Sequence, residues 1–377
     1  MNKIDTVDFY KTLCENEFDF FTGVPDSLLK ELCLCIEDLA AEKHILAANE
    51  GNAVAIACGY HITTGRFGVV YMQNSGIGNA VNPLLSLADE KVYQIPMLLL
   101  IGYRGEPGVK DEPQHQKQGE LTLPLLETLG IPWQIVDDNY QQQIKDCHDY
   151  MKQNGKTMAL VIKKDTFAKY HSTGVEKKGK RDNTANLLAR EQALHAILTQ
   201  LDEDEFVVST TGKTSREIFE IREAQHVGHA NDFLTVGSMG HASSLALGIS
   251  QNTDKNIYCI DGDGAFLMHM GGLAIAVQNV KDNFKYILIN NGCHESVGGQ
   301  PTIANQLELD KILYGMGFDK VFMVKAEEEL ILALQYQKKH GKCAIVVWTN
   351  QTSRENLGRP TTTPIENKEN FEMKIRG

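Results

Sequence analysis

Apolar runs with few polar breaks recur along the chain, and between them the apolar positions switch to a helical period. In the first half, "RFGVVYM" (66–72), "MLLLIG" (97–102) and "MALVIKK" (158–164) predict strands covered on both faces, the pattern of a parallel sheet. "DSLLKELCLCIEDLA" (26–40) has helical spacing after a Pro-Asp start, and "GNAVAIACGYHI" (51–62) is Ala-rich and nearly all apolar, which predicts a buried helix. The second half repeats the alternation. A helix over 184–200 precedes the strand "FVVST" (206–210), and the helix "HASSLALGIS" (241–250) leads to the strand "NIYCIDG" (256–262). A further helix over about 269–282 crosses to "KYILINN" (285–291), and "KCAIVVWT" (342–349) closes the set. This order predicts an α/β chain of two domains, each a mostly parallel sheet with helices on both faces.

Length agrees, since 377 residues exceed one comfortable core. The polar, basic stretch "AKYHSTGVEKKGKRDNTAN" (168–186) reads as the linker, giving domains over 1–168 and 187–377 with the linker at 169–186. No sequence repeat relates the halves.

Charge narrows the partners. With 37 basic and 49 acidic residues the net charge is −12, which disfavours nucleic acid while leaving room for a local pocket for a small anion. The N-terminal "MNKIDTVDFYKTLC" has no long apolar region, and "YQIPMLLLIGY" (93–103) is far too short to span a membrane, so the expectation is a cytoplasmic protein without membrane partners. The eight cysteines form no CxxC pair and read as buried thiols.

The chemistry gathers at two strand ends. "CIDGDGAF" (259–266) and "YILINNGCHES" (286–296) each finish a hydrophobic run with a polar, glycine-bearing tip, one crossover apart. In parallel α/β sheets, ligands bind beyond the carboxyl ends of the strands. A carboxylate at Asp263 with amides at Asn290 and Asn291 suits Mg2+, and Gly262 and Gly264 let backbone approach a diphosphate closely. Two other glycine motifs fail. "STTGKTSRE" (209–217) lacks the first Walker glycine, which would fall at Val207, and "NSGIGNAVNP" (74–83) has Val81 where a dinucleotide fingerprint needs its third glycine.

The spacing from "GDG" to "NN" resembles the cofactor motif of the thiamin-diphosphate-dependent decarboxylases, and "AANEGNAVAIACGY" resembles their pyrimidine-domain segment. "FTGVPDSLLK", "VYMQNSGIGNAVNPL", "GEPGVKDEPQHQKQG" and "NNGCHESVGGQPT" are similar to the branch acting on 3-phosphonopyruvate, with the sulfopyruvate branch a relative. The likeness covers nearly the whole chain. It implies two thiamin-diphosphate-binding-type domains, pyrimidine-binding first and diphosphate- and Mg2+-binding second, acting on a small anionic 2-oxo acid.

Carried over by residue, the resemblance makes Glu50 the partner of the cofactor's pyrimidine ring. It puts Mg2+ on Asp263, Asn291 and the backbone carbonyl of Cys293. Asn74, Thr211, Gly212, Gly237, Ser238, Gly262 and Gly264 would contact the cofactor, and Met239 would prop its bent shape. Asp26, His115 and His294 are proton-handling candidates; Asp26 also reads as a helix cap and His115 as a loop histidine. Arg104, Lys110 and Lys117, read as one loop, are candidates for the phosphonate. Because Glu50 and the metal residues fall in different domains, which in the family come from opposite subunits, a homodimer or homotetramer with sites at the subunit interface is expected.

Overall fold

A computed structural model describes residues 3–172 and 186–377, so most of the predicted linker lies outside the described residues. They fall into two units, 3–172 with 294–300, and 186–293 with 301–377. In the first unit, β1 (Phe21–Gly23), β2 (His44–Leu46), β3 (Val69–Gln73), β4 (Leu98–Gly102), β5 (Trp133–Ile135) and β6 (Met158–Ile162) form a parallel sheet ordered β2-β1-β3-β4-β6-β5. The second carries β7 (Phe206–Ser209), β8 (Asp232–Leu234), β9 (Ile257–Gly262) and β10 (Phe284–Asn290). A two-stranded ladder of β11 (Cys293–His294) and β12 (Gln300–Pro301) follows, then β13 (Lys320–Val324) and β14 (Cys343–Trp348). Its main sheet is also parallel, ordered β13-β14-β10-β9-β7-β8. Numbered from the first strand of each main sheet, both orders read 2-1-3-4-6-5. The halves therefore share one winding that their sequences do not reveal.

The near-continuous apolar strands are explained by two cores per sheet. Along β3, β4 and β6, Val69, Tyr71, Leu98, Leu100, Leu160 and Ile162 point into one core, while Val70, Met72, Leu99, Ile101, Ala159 and Val161 point into the other. The second sheet divides likewise: Cys259, Tyr286, Leu288 and Val346 lie on one face, and Tyr258, Ile260, Ile287, Ile289 and Val347 on the other. Full burial of such a side chain contributes roughly 1.5–3 kcal/mol, so both faces must stay covered by helices.

Several elements differ from expectation. The helix expected over 26–40 spans Lys30–Leu39, because the Asp26 carboxylate accepts from the Leu28 amide at 2.9 Å and holds residues 26–29 in a turn. The alanine-rich helix spans Glu50–Thr64 and is not wholly buried: Ala55, Gly59 and Ile62 face outward. The helix expected over 269–282 is Met270–Asn279, preceded by a separate helix Asp263–Met268. β1, β2, β5 and β8 have three residues each, too few for a period to register. All eight cysteines are free, seven of them buried. Among the described residues no helix is long and apolar enough to cross a membrane.

Two bidentate ion pairs anchor the helix Lys213–Gln225, which follows β7. Arg190 donates to Glu217 at 2.7 Å through both Nε and Nη2, and Arg222 grips Asp232 at 2.9 and 3.1 Å. Both pairs are buried. Glu217→Ala is expected to lower unfolding stability by about 3 kcal/mol, since it leaves the Arg190 charge buried without its carboxylate. Urea unfolding of the variant against the parent measures this.

Candidate active site

Connections leave the first sheet in opposite directions from β1 and β3, and the second from β7 and β9. Each pair marks a switch point, where a crevice opens at the carboxyl edge. The candidate residues lie at these edges.

In the first unit, Asn49 caps the helix Glu50–Thr64 by accepting from the Asn52 amide at 3.0 Å, which fixes Glu50 as its first residue. Glu50 is only 5% exposed. Its Oε2 accepts from Asn79 Nδ2 at 2.8 Å, and a Cβ on Gly76 would stand 2.4 Å from Oε1, so the carboxylate lies directly on glycine backbone. Asp26, just after β1, is fully buried, with Oδ1 lacking any partner. Burial pushes its carboxyl above the usual range, opposed by the Leu28 amide and the Arg104 charge. A Cβ on Gly102 would meet Asp26 Oδ2 at 2.1 Å, so the end of β4 must be glycine for this carboxyl to fit.

The segment after β4 is organised by a residue that the sequence reading missed. Asp111 accepts from Arg104 Nε at 2.8 Å and Nη2 at 2.5 Å and from the Gly105 and Glu112 amides at 2.8 Å, and its Oδ1 lies 3.0 Å from His115 Nδ1. Burial opposes its charge, yet these donors hold its carboxyl well below the usual range. Arg104 also donates to Ser27 Oγ at 2.7 Å. Its guanidinium is thus engaged within the protein, whereas Lys110 is exposed and Lys117 pairs with Glu120 at 2.8 Å. His115 is not in a loop: it is the third residue of the helix Pro113–Thr128, which also contains Lys117. His115 is buried, and that burial lowers its imidazole pKa while Asp111 pulls it back up. Asn74 spans the same region, donating to the Arg104 carbonyl at 2.7 Å and to Thr122 Oγ1 at 2.8 Å.

At the carboxyl edge of the second sheet, β9 and β10 are neighbours, with Gly262 opposite Ile289. Asp263 opens the helix Asp263–Met268 and accepts a short hydrogen bond from Thr302 Oγ1. Asn290 ends β10, fully buried; its Oδ1 accepts from the Gly292 amide at 3.0 Å and its Nδ2 has no partner. Asn291 Oδ1 accepts from the Cys293 amide at 3.1 Å. A Cβ on Gly262 would find only the Thr210 methyl, at 3.8 Å, which leaves room for a ligand there. Beyond β7, Thr211 leads to Gly212 at φ 94°, a backbone suited to glycine. Gly237, Ser238 and Met239 precede Gly240; Ser238 and Gly240 have φ of 51° and 83°, and Met239 is half-buried and outside both cores of its unit. Gly264 follows Asp263 in its helix. His294 follows the Asn290–Asn291 turn, and burial pushes its imidazole down to about 4.

Asp261 was also missed, hidden beside the more conspicuous glycines. It is buried and accepts from the Gly262 amide at 2.9 Å and Tyr286 Oη at 3.2 Å; burial raises its carboxyl to about 6.

Comparison with known proteins follows the same division. Residues 7–124 match the thiamine pyrophosphate enzyme N-terminal TPP binding domain, and residues 210–348 match the C-terminal TPP binding domain. Phosphonopyruvate decarboxylase of Streptomyces viridochromogenes is 31% identical over 358 residues, covering 91% of this chain and 88% of that protein. The chain belongs to the phosphonopyruvate decarboxylase family of thiamin-diphosphate enzymes. Sulfopyruvate decarboxylase of Methanosarcina acetivorans is 25% identical over 336 residues, 84% of each chain. The sulfopyruvate decarboxylase subunit alpha of Methanococcus maripaludis is 36% identical over 152 residues, 40% of this chain and 87% of that one. In this phosphonopyruvate decarboxylase relative, the orphaned Asn290 amide and the open space at Gly262 fit a diphosphate-bearing cofactor at the second edge.

Proposed function

We propose that the protein catalyses the non-oxidative decarboxylation of 3-phosphonopyruvate, taking up one proton and releasing phosphonoacetaldehyde and carbon dioxide, with thiamin diphosphate and Mg2+. The observation that carries this reading is similarity to phosphonopyruvate decarboxylases along 91% of the chain. When bound, thiamin diphosphate supplies the electron sink for cleavage of the carbon–carbon bond.

The protein's part is position and proton traffic. Glu50, dry and fixed by Asn79, would exchange a proton with a pyrimidine nitrogen. Asp263, Asn291 and the Cys293 carbonyl would hold Mg2+, a hard cation that takes oxygen ligands. Thr211, Gly212, Gly237, Ser238, Gly262 and Gly264 would receive the cofactor, with Asn74 shaping the first unit's edge and Met239 as its prop. Asp26 and His115 would hold and deliver the proton that replaces carbon dioxide, with His294 a further neutral imidazole. Lys110 and Lys117 are the mobile cations for the phosphonate, while Arg104 serves it only if its grip on Asp111 opens.

The outward Ala55, Gly59 and Ile62 support self-association into a homodimer or homotetramer, with Glu50 and the metal residues of one site drawn from different subunits. A cytoplasmic role in making phosphonates of the 2-aminoethylphosphonate type completes the reading.

The test is carbon dioxide release with phosphonopyruvate, sulfopyruvate and pyruvate in turn. kcat/KM is expected to be at least about 10-fold higher for phosphonopyruvate, a difference of about 1.4 kcal/mol in transition-state binding. Preference for sulfopyruvate would reassign the substrate. Silence on all three by protein shown to bind the cofactor would overturn the decarboxylase reading.

A further inference from the structure

Asp111 gathers four donors on two oxygens, about as many as the lone pairs of a carboxylate can serve. It has no capacity left for substrate and, held strongly ionised, no proton to give. Its effect must pass through the groups that it holds. One of these is His115, whose Nδ1 lies 3.0 Å from Asp111 Oδ1. A neutral imidazole carries one N–H, and beside an ionised acceptor that hydrogen belongs on Nδ1, which leaves Nε2 bare.

We infer that Asp111 is a positioning residue for the decarboxylation, fixing His115 as the Nδ1–H tautomer so that Nε2 alone exchanges protons. This inference rests on the decarboxylase reading for its catalytic consequence, though not for the tautomer. The same carboxylate holds Arg104 against Ser27, the residue after Asp26, and so braces both proton-handling side chains with one anion. The fit around it is tight. A Cβ on Gly105 would stand 1.9 Å from the His115 carbonyl, and a Cβ on Gly119 would stand 1.6 Å from the Gly105 carbonyl, so loop and helix lie backbone against backbone. The charges acting on His115 are Asp111, Arg104 and Asp26. Losing Asp111 removes an attraction for the imidazolium while Arg104 still repels it, so the His115 titration moves to lower pH.

The experiment uses full-length holoenzyme, comparing the parent with Asp111→Asn and Asp111→Glu. Nitrogen-15 NMR of labelled histidine is expected to find His115 as Nδ1–H in the parent and as Nε2–H or a mixture in Asp111→Asn. kcat for Asp111→Asn should fall about 100-fold with KM changed less than about 3-fold, and the alkaline limb of its kcat profile, where His115 loses the proton it delivers, should shift to lower pH. Asp111→Glu should recover part of kcat. An Nε2–H tautomer in the parent would overturn the inference even if neither variant folds. So would Asp111→Asn with unchanged tautomer and kcat, or with a change confined to KM. If the parent releases no carbon dioxide, it is the decarboxylase reading that fails, and the tautomer still judges the role of Asp111.

Discussion

Glu50→Gln is expected to lower kcat for carbon dioxide release about 10⁴-fold while leaving cofactor affinity within about 3-fold, the upper range for losing one positioned proton-transfer group. Glutamine keeps the length and shape of the side chain lying on Gly76, and it can still hydrogen-bond Asn79 through its carbonyl oxygen. Only the exchangeable carboxyl proton is lost. Fluorescence titration with thiamin diphosphate would report binding, and carbon dioxide release would report turnover. A variant within about 10-fold of the parent would remove Glu50 from the mechanism.

Asp26→Asn is expected to lower kcat about 10³-fold and also to change how stability depends on pH. Burial raises the Asp26 carboxyl above its usual 3.8 in the folded chain, so the folded state holds this proton where the unfolded state has released it. The stability contributed by the neutral carboxyl is fully present below the ordinary pKa and is lost as pH rises through the folded value. Asparagine does not titrate. Urea midpoints measured from pH 4 to 8 should therefore fall with rising pH more steeply in the parent than in the variant. Parallel curves would show that Asp26 ionises as freely folded as unfolded.

What the sequence revealed follows from length and exposure. β3, β4, β6, β9, β10 and β14 have five to seven residues of almost unbroken apolar character, so their positions were legible within one to three residues. The three-residue strands were not, and β13 runs along a sheet edge with Lys320 and Met323 exposed. At the candidate site, the glycine-flanked Asp263 and the Asn290–Asn291 pair announced themselves because acids and amides interrupt apolar runs there. Asp111 did not: between Lys110 and Glu112 in a Gly- and Pro-bearing stretch, it looks like one more solvated charge. Only the fold reveals that it faces inward to Arg104 and His115, and that Arg104 is already engaged.

The matched winding of the two sheets offers the same kind of notch at two carboxyl edges. Because each half keeps its own pair of cores, cutting the chain between residues 172 and 186 would sever no strand of either main sheet. Sulfopyruvate decarboxylase of Methanococcus maripaludis has separate alpha and beta subunits, each matching less than half of this chain.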